Sequence, residues 1–476
     1  MVAHVEQIYT ACMSQAAYFL ESDGEAVVID PLRDPAPYME RAASRGARIK
    51  YVIETHFHAD FVSGHTDLAQ ASGATIVFGP TAQPTFDALI ATDGEELRFG
   101  KARLRVLHTP GHTLESACFV LYDDGSDTPR AVFTGDTVFI GDVGRPDLAQ
   151  LVADTTQERQ ARLLYRSIRE KILPLPDSVI VYPGHGAGSA CGKNLSSETS
   201  DTLGNQKKTN YALDAGLSED DFVHALLEGL REPPGYFQHQ VVLNKGQAGP
   251  FADAIARGKR HLTVGELKEQ LAKGVLVLDY RHHQPDFAAC HIPGTIYAGT
   301  SGSLALWVAT VFANVHQPYA IVNDDQDFED GLYRLTRVGF DNCLGHLKGG
   351  IEAWKAAGEP TASIEYATAD ELAADVGAPD RIQIFDVRGP GEYRNGHLAH
   401  ARNAPLCERR PTNFAELVAP DKKAFMYCVS GYRALMYITL CRRAGVTAPM
   451  YNVKGGIGAI KSHPTLSAMI ETHDAH

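Results

Sequence analysis

Excess basic charge, long apolar runs and paired cysteines are all missing from this 476-residue sequence. Its 44 Lys and Arg against 58 Asp and Glu leave a net charge of −14. A nucleic-acid partner is excluded on that balance, because phosphate binding needs a concentrated excess of cations and no basic tract supplies one. No run of about 18 apolar residues is present to cross a bilayer. The opening M-V-A-H-V-E-Q-I-Y-T has no basic segment leading into an apolar one, so the expectation is a soluble, cytoplasmic protein with no membrane partner. The eight cysteines (12, 118, 191, 290, 343, 407, 428 and 441) contain no C-x-x-C pair, which argues against both a zinc ribbon and a disulfide scaffold. Most read as small buried core residues.

The length allows about three domains, each with its own core. Residues 1–245 alternate short β-branched runs (A-V-V-I-D, Y-V-I-E-T, T-I-V-F, A-V-F-T-G-D, S-V-I-V-Y-P-G-H) with helical or turn-rich stretches. Each run ends in a turn bearing His or Asp, which predicts an α/β sandwich with its chemistry on loops at one edge. The Gly-rich, basic segment 244–260 reads as the connection out of this domain. Beyond it the chain repeats at an offset of 106 or 107 residues. V-L-V-L-D-Y-R (275–281) matches I-Q-I-F-D-V-R (382–388), and K-G-G-I recurs at 348–351 and 454–457. Such a period means two copies of one small α/β domain, at 261–360 and 366–476. Each copy opens with a helix-start signal, L-T-V-G-E-L and Y-A-T-A-D-E-L.

Four turns in the first domain carry ligand-type side chains: T-H-F-H-A-D-F-V-S-G-H (55–65), H-T-P-G-H-T (108–113), F-T-G-D-T (133–137) and Y-P-G-H-G (182–186). One His-x-His pair is a weak signal; four such turns in this order are a strong one. That order resembles the metallo-β-lactamase superfamily, whose fold is an αββα sandwich. Dinuclear hydrolases of the superfamily carry a further His where this chain has Phe61, and phenylalanine cannot bind a metal. His65 would need a reshaped turn to replace it. The remaining set resembles the persulfide dioxygenases, in which one Fe(II) is held by residues matching His56, His112 and Asp136. Two imidazoles and a carboxylate on one face of an ion leave three positions open, an arrangement suited to Fe(II) and O₂. Zinc would accept the same ligands with a bound water; the resemblance favours iron. It also implies that His58, Asp60 and His185 orient ligands or hold water, and that Arg145 binds the thiol carrier of the substrate. Tyr182 is placed to hydrogen-bond near the open positions. Cys191, in the long polar loop 189–210 and beside Lys193, is expected to have a lowered pKa and to carry or sense sulfur.

In the last copy a strand, K-A-F-M-Y, runs into C-V-S-G-Y-R (428–433) and then a helix. A cysteine there lies among backbone N–H groups at the positive end of a helix, which favours a thiolate or persulfide anion. The copy resembles a rhodanese domain, and the C-x₄-R spacing of Cys428 and Arg433 matches sulfurtransferases, where related phosphatases have C-x₅-R. The central copy runs from Y-A-I-V-N into D-D-Q-D-F-E-D with neither Cys nor Arg. It reads as a pseudo-rhodanese that positions its neighbours or forms a contact in a homo-oligomer. Together these resemblances imply a persulfide dioxygenase–rhodanese fusion. Its substrates would be a thiol persulfide (glutathione, coenzyme A or similar) and O₂, with sulfite and thiosulfate as further sulfur species. A zinc thioester hydrolase of the glyoxalase II type fused to a sulfurtransferase, and a sulfane-sulfur sensor or scaffold, are the competing readings.

Overall fold

The computed structural model describes residues 2–148, 150, 154–230, 232–324, 328–408 and 417–472. Contacts divide the chain into two compact units, Met1–Phe251 with Thr336–Gly339, and Ala252–Leu335 with Phe340–His476.

The first unit is built on two six-stranded sheets. One runs in the order His4–Thr10, Gln15–Ser22, Glu25–Ile29, Arg48–Glu54, Thr75–Phe78, Leu89–Ile90. The other runs Asp201–Thr202, Ile180–Pro183, Ala131–Gly135, Ala117–Tyr122, Ala102–His108, Glu96–Phe99. The inner strands Gln15–Ser22, Glu25–Ile29, Ala117–Tyr122 and Ala131–Gly135 are buried almost throughout because each sheet lies between two layers. Tyr18, Leu20, Val27, Ile53, Leu104, Phe119 and Phe133 fill the space between the sheets. On the outer faces, Phe19, Val28 and Val52 meet Tyr38, Ala42 and Leu68, while Val120, Val132 and Val181 meet Leu164, Ile168 and Phe222. Helix, sheet, sheet, helix is the αββα sandwich expected.

Two segments differ from the sequence reading. The polar stretch 189–210 is irregular only in its first part: it continues as the strand Asp201–Thr202 and the helix Leu203–Thr209, capped by Thr202, which accepts from Asn205 N. The presumed connection 244–260 contains the helix Phe251–Gly258. Its first residue, Asn244, is fully buried.

The second unit holds two five-stranded sheets of matching order. One is His261–Leu262, Cys343–Leu347, Tyr319–Val322, Leu276–Asp279, Ile296–Tyr297; the other is Glu365–Ala367, Met450–Val453, Lys423–Tyr427, Ile382–Asp386, Ala401–Asn403. The sequence repeat recurs here as repeated physics. Thr263 with Glu266, and Thr368 with Glu371, form reciprocal capping boxes that start the first helix of each copy. Arg281 forks onto Asp279 at 2.9 Å, and Arg388 onto Asp386 at 2.9 and 2.6 Å. Each guanidinium also donates at 2.8 Å to a carbonyl, of Cys290 and Gly396 respectively. These buried pairs hold the C-terminal end of the fourth strand of each sheet, Leu276–Asp279 and Ile382–Asp386, a structural role that does not depend on a nucleophile.

Candidate metal centre and sulfur-transfer loop

The strands Ala102–His108, Ala131–Gly135 and Ile180–Pro183 run in one direction, through the antiparallel strand between the first two and the parallel pairing of the last two. The turns after their C-terminal ends deliver His112, Asp136 and His185 to one edge of the sheet. Arg48–Glu54, in the facing sheet, delivers His56 from the opposite side. All four residues are 2 % exposed or less. Ligand atoms of His56, His112 and Asp136 lie within 4.8 Å of one another. The approach is close enough that a Cβ on Gly184 would lie 2.7 Å from Asp136 Oδ1.

The tautomers are set by the neighbours. Thr55 Oγ1 donates to Asp30 at 2.9 Å and lies 3.0 Å from His56 Nδ1. With its proton committed to Asp30, that hydroxyl accepts from Nδ1–H and leaves Nε2 of His56 as a lone pair. His112 Nδ1 is 2.8 Å from Arg145 O, and His185 Nδ1 is 3.2 Å from Ser14 O. A carbonyl only accepts, so these rings too carry the proton on Nδ1. His112 Nε2, His185 Nε2 and both oxygens of Asp136 are buried without a hydrogen-bond partner. Burial, with the charge of neighbouring histidines, holds His56 well below the ordinary imidazole pKa; burial lowers His112 as well. Neutral imidazoles with inward lone pairs and outward N–H donors are what a metal requires of its ligands.

His58 plays another part. Its Nε2 is 3.1 Å from Asp30 Oδ1 and 3.2 Å from Glu54 Oε2. Burial alone would lower its pKa, but the two carboxylates outweigh that and hold it well above the ordinary value. Glu54 also faces His65 at 3.2 Å and accepts from Ser63 Oγ. His65 is thus occupied beneath the motif loop. Phe61 is wholly buried against the His58 ring, with centroids 4.3 Å apart. Asp60 and His185 pair at 3.4 Å, and His185 lies 3.6 Å from Asp136.

Three expected roles are not what the geometry gives. Arg145 is 4 % exposed, its guanidinium forked onto Asp147 at 2.6 and 2.7 Å and bonded to Ala190 O at 3.0 Å. Its contribution to the site is its carbonyl, which fixes His112. Tyr182 points into the intersheet core, stacked on Phe133 at 5.4 Å. Lys193 donates to Ala225 O and Glu228 O, and Cys191 is pushed well above the ordinary thiol pKa by burial, then by Asp60 and Asp136. Cys191 nevertheless reaches the centre: its sulfur lies within 4.8 Å of ligand atoms of Asp136 and His185.

Sequence reasoning missed Asp30, Thr55, Glu54 and Asn244. Asn244 straps the motif loop, donating to His58 O and Phe61 O at 2.8 Å each and accepting from Ser63 N at 2.8 Å. Nothing in a Gly-rich segment signalled that. Asp30 and Glu54 were signalled only as strand-end acids.

These placements change what Arg145→Ala should do. It strands Asp147 in a buried site, which costs about 3–5 kcal/mol. Denaturant unfolding should record that loss together with reduced metal retention, whereas a carrier-binding residue would raise KM and leave stability near that of the parent.

In the second unit, the strand Lys423–Tyr427 ends at Cys428 and the helix Tyr432–Arg443 begins four residues later. Cys428 is 1 % exposed, and Gly431 N donates to its sulfur at 3.1 Å. Ile457 N, from the second K-G-G-I turn, donates to Cys428 O at 2.8 Å. Arg433 forks onto Glu392 at 2.6 and 2.8 Å. Burial and the Glu392 pairing dominate its environment, and it also interacts with the Cys428 thiol. In the central copy, sheet register places Val322 opposite Asp279 as Tyr427 lies opposite Asp386. Asn323 therefore stands where the nucleophile would be. The acidic run after it includes Asp325, Gln326 and Asp327, which lie outside the described residues.

The model of the metallo-beta-lactamase superfamily matches residues 11–185, and that of the rhodanese-like domain matches 263–357 and 368–463. A crystal structure of a metallo-beta-lactamase from Staphylococcus aureus subsp. aureus COL is 30% identical, with a TM-score of 0.62, covering 73% of this chain and 99% of that one. The chain belongs to the metallo-beta-lactamase superfamily. It adds two rhodanese-like domains to that fold. Among curated relatives, the mitochondrial persulfide dioxygenase ETHE1 of Homo sapiens is 36% identical over 163 residues, 34% of this chain and 59% of the relative. A hydroxyacylglutathione hydrolase of Methylococcus capsulatus is 33% identical over 165 residues, 34% of this chain and 57% of the relative. The chain thus spans somewhat more than half the length of each of these two relatives. Among the described residues, no helix is long and apolar enough to cross a membrane.

Proposed function

We propose that the first unit is a mononuclear non-haem iron persulfide dioxygenase, with His56, His112 and Asp136 as ligands, and that Cys428 carries sulfane sulfur in the second. The observation that carries this reading is the combination at the edge of the sheets: three inward lone pairs and orphaned carboxylate oxygens, beside a buried Phe61 where a dinuclear site has a ligand. The likeness to ETHE1 supports it.

The overall conversion is RSSH + O₂ + H₂O → RSH + SO₃²⁻ + 2 H⁺, in which the terminal sulfur is oxidised and O₂ reduced. Bound Fe(II) would supply the electron transfer to O₂ that zinc cannot provide. The chain's own residues do the rest. Thr55, Arg145 O and Ser14 O fix the ring orientations. The Asp60–His185 pair stands ready to take a released proton, and Phe61 excludes water on one side. At Cys428 the persulfide presents its outer sulfur to sulfite: Cys428–S–S⁻ + SO₃²⁻ → Cys428–S⁻ + S₂O₃²⁻. The new S–S bond forms as the bond to the Cys428 sulfur breaks, and the leaving thiolate is held by Gly431 N.

A zinc thioester hydrolase is the second reading. The nearness of His185 and Cys191 to Asp136, the pairing of Asp60 with His185 and the hydroxyacylglutathione hydrolase relative favour it. The two separate in one assay series. Protein purified without added metal should consume O₂ with glutathione persulfide and form sulfite or thiosulfate, leaving a hydroxyacylglutathione thioester intact. Thioester cleavage without oxygen uptake contradicts the proposal.

A further inference from the structure

Thr336–Gly339 lie in the central copy by chain position, yet contacts place them in the first unit. They take in the last two residues of the helix Phe328–Arg337. Three successive carbonyls there are each held by a residue of the metal domain: Thr336 O accepts from Arg33 Nη1 at 3.0 Å, Arg337 O from Val62 N at 2.6 Å and Val338 O from Gln240 Nε2 at 2.7 Å. Arg33 and Gln240 are both fully buried. Gly339 follows with φ +80°, where a Cβ would stand 2.7 Å from Leu243 Cδ1. This short backbone segment is therefore fixed to the frame of the metal centre.

The side chain of Arg337 is not accounted for by those bonds. Its Nη1 lies 3.9 Å from Cys12 Sγ, a long contact to a weak acceptor that leaves most of the five guanidinium donors unspent. Cys12 belongs to the turn 11–14, whose Ser14 fixes His185 through its carbonyl and Ala187 O through its hydroxyl. Val62 stands two residues after Asp60. Arg337 thus ties together the two loops that bring Asp60 and His185 to 3.4 Å of one another. It is half-buried, and among the described residues no carboxylate pairs with it. Arg145, by contrast, is spent on Asp147. A solvated arginine also needs no partner, but its backbone has no reason to be held at three points beside the motif loop.

Resting on the reading of the first unit as a persulfide dioxygenase, we infer that Arg337 binds the anionic end of the thiol carrier. A guanidinium with free forked donors, partly withdrawn from water, is a receptor for an oxyanion, whether the carboxylate of a peptide thiol or the phosphate of a nucleotide thiol. The role expected of Arg145 falls to a residue that the chain supplies about 190 residues later. Thr336–Gly339 are then the part of the central copy that the metal site requires.

The test uses the full chain, and Arg337→Gln removes the charge while any side chain leaves the three carbonyl bonds in place. Oxygen uptake is measured with glutathione persulfide, coenzyme A persulfide and 2-hydroxyethyl persulfide, the last of which has an uncharged carrier. Arg337→Gln should raise KM about tenfold or more for the anionic carrier that the parent prefers, the scale of a charge-assisted hydrogen bond, and change KM for the hydroxyethyl compound less than about twofold. Which of the two anionic carriers shows the loss identifies carboxylate or phosphate. Arg337→Lys should recover part of it, since it keeps the charge and loses the fork. An equal loss with charged and uncharged carriers, which a merely structural role would give, overturns the inference, as does an unchanged KM with both anionic ones. Calorimetric binding of S-methylglutathione and S-methyl-coenzyme A reads the same contact without turnover. One of them should bind the parent and bind Arg337→Gln about tenfold or more weakly; equal binding, or none to the parent, overturns the inference. If the parent takes up no oxygen with any persulfide, the dioxygenase reading fails, and the binding measurement still decides the role of Arg337.

Discussion

Asp136→Ala should abolish persulfide-dependent oxygen uptake while sulfur transfer at Cys428 continues. Asp136 contributes the only carboxylate of the His56, His112, Asp136 set. Its two oxygens are buried without a hydrogen-bond partner and lie 3.4 and 3.6 Å from His112 Nε2 and His185 Nε2, so its neighbours are other candidate ligands rather than structural hydrogen bonds. Removing an outer partner of a ligand commonly costs about 10–100-fold in metal affinity or activity. Removing the ligand itself should cost at least about 100-fold in oxygen uptake, with iron content falling in parallel. Cys428 belongs to the other compact unit, so thiosulfate-to-cyanide sulfur transfer should stay near the parent rate. Oxygen electrode traces, iron analysis and the cyanide assay on one preparation check all three. Retained oxygen uptake would remove Asp136 from the ligand set.

Cys428→Ser should change the product and spare the oxidation. A hydroxyl of similar size fills the place of the thiol but forms no persulfide. Oxygen uptake continues and sulfite replaces thiosulfate as the main product. On the proposed reading, sulfite leaves one unit of a chain whose other unit carries its acceptor. A linked site can experience an effective concentration up to millimolar, provided the geometry permits approach, so capture competes with escape. Chromatographic separation of sulfite and thiosulfate during turnover gives the result. Thiosulfate formed by Cys428→Ser at the parent rate, after subtraction of the uncatalysed reaction of sulfite with persulfide, would show that the two activities are not coupled.

Those two residues were legible in the sequence because their chemistry is written in short windows. A metal ligand at a strand end, or a thiol between a strand and a helix, needs only the strand, the turn and the side chain. The repeated domains were legible for a related reason: D-Y-R and D-V-R each encode an Asp–Arg fork closed within three residues, and each capping box closes within four. The pairing of Arg145 was not legible: its charge is met by Asp147, two residues on, and a sequence does not say which of two nearby charges a guanidinium will choose. Tyr182 was misread because a one-residue difference in strand facing separates the site from the core. Cys191 has Lys193 beside it in sequence, but Lys193 turns to two carbonyls instead. Asn244 lies far along the chain from the His58–Phe61 turn it straps, and no local pattern carries that information.

The central claim is a single iron bound by His56, His112 and Asp136, with Phe61 closing off a second site. Metal content per chain, measured on protein purified without added metal, tests it most directly, with the parent and Phe61→His side by side. The account predicts about one iron and no second metal in the parent. Restoring a ligand beside Asp60 and His185 in Phe61→His should let a second metal bind. Two metals per chain in the parent, zinc above all, would contradict it.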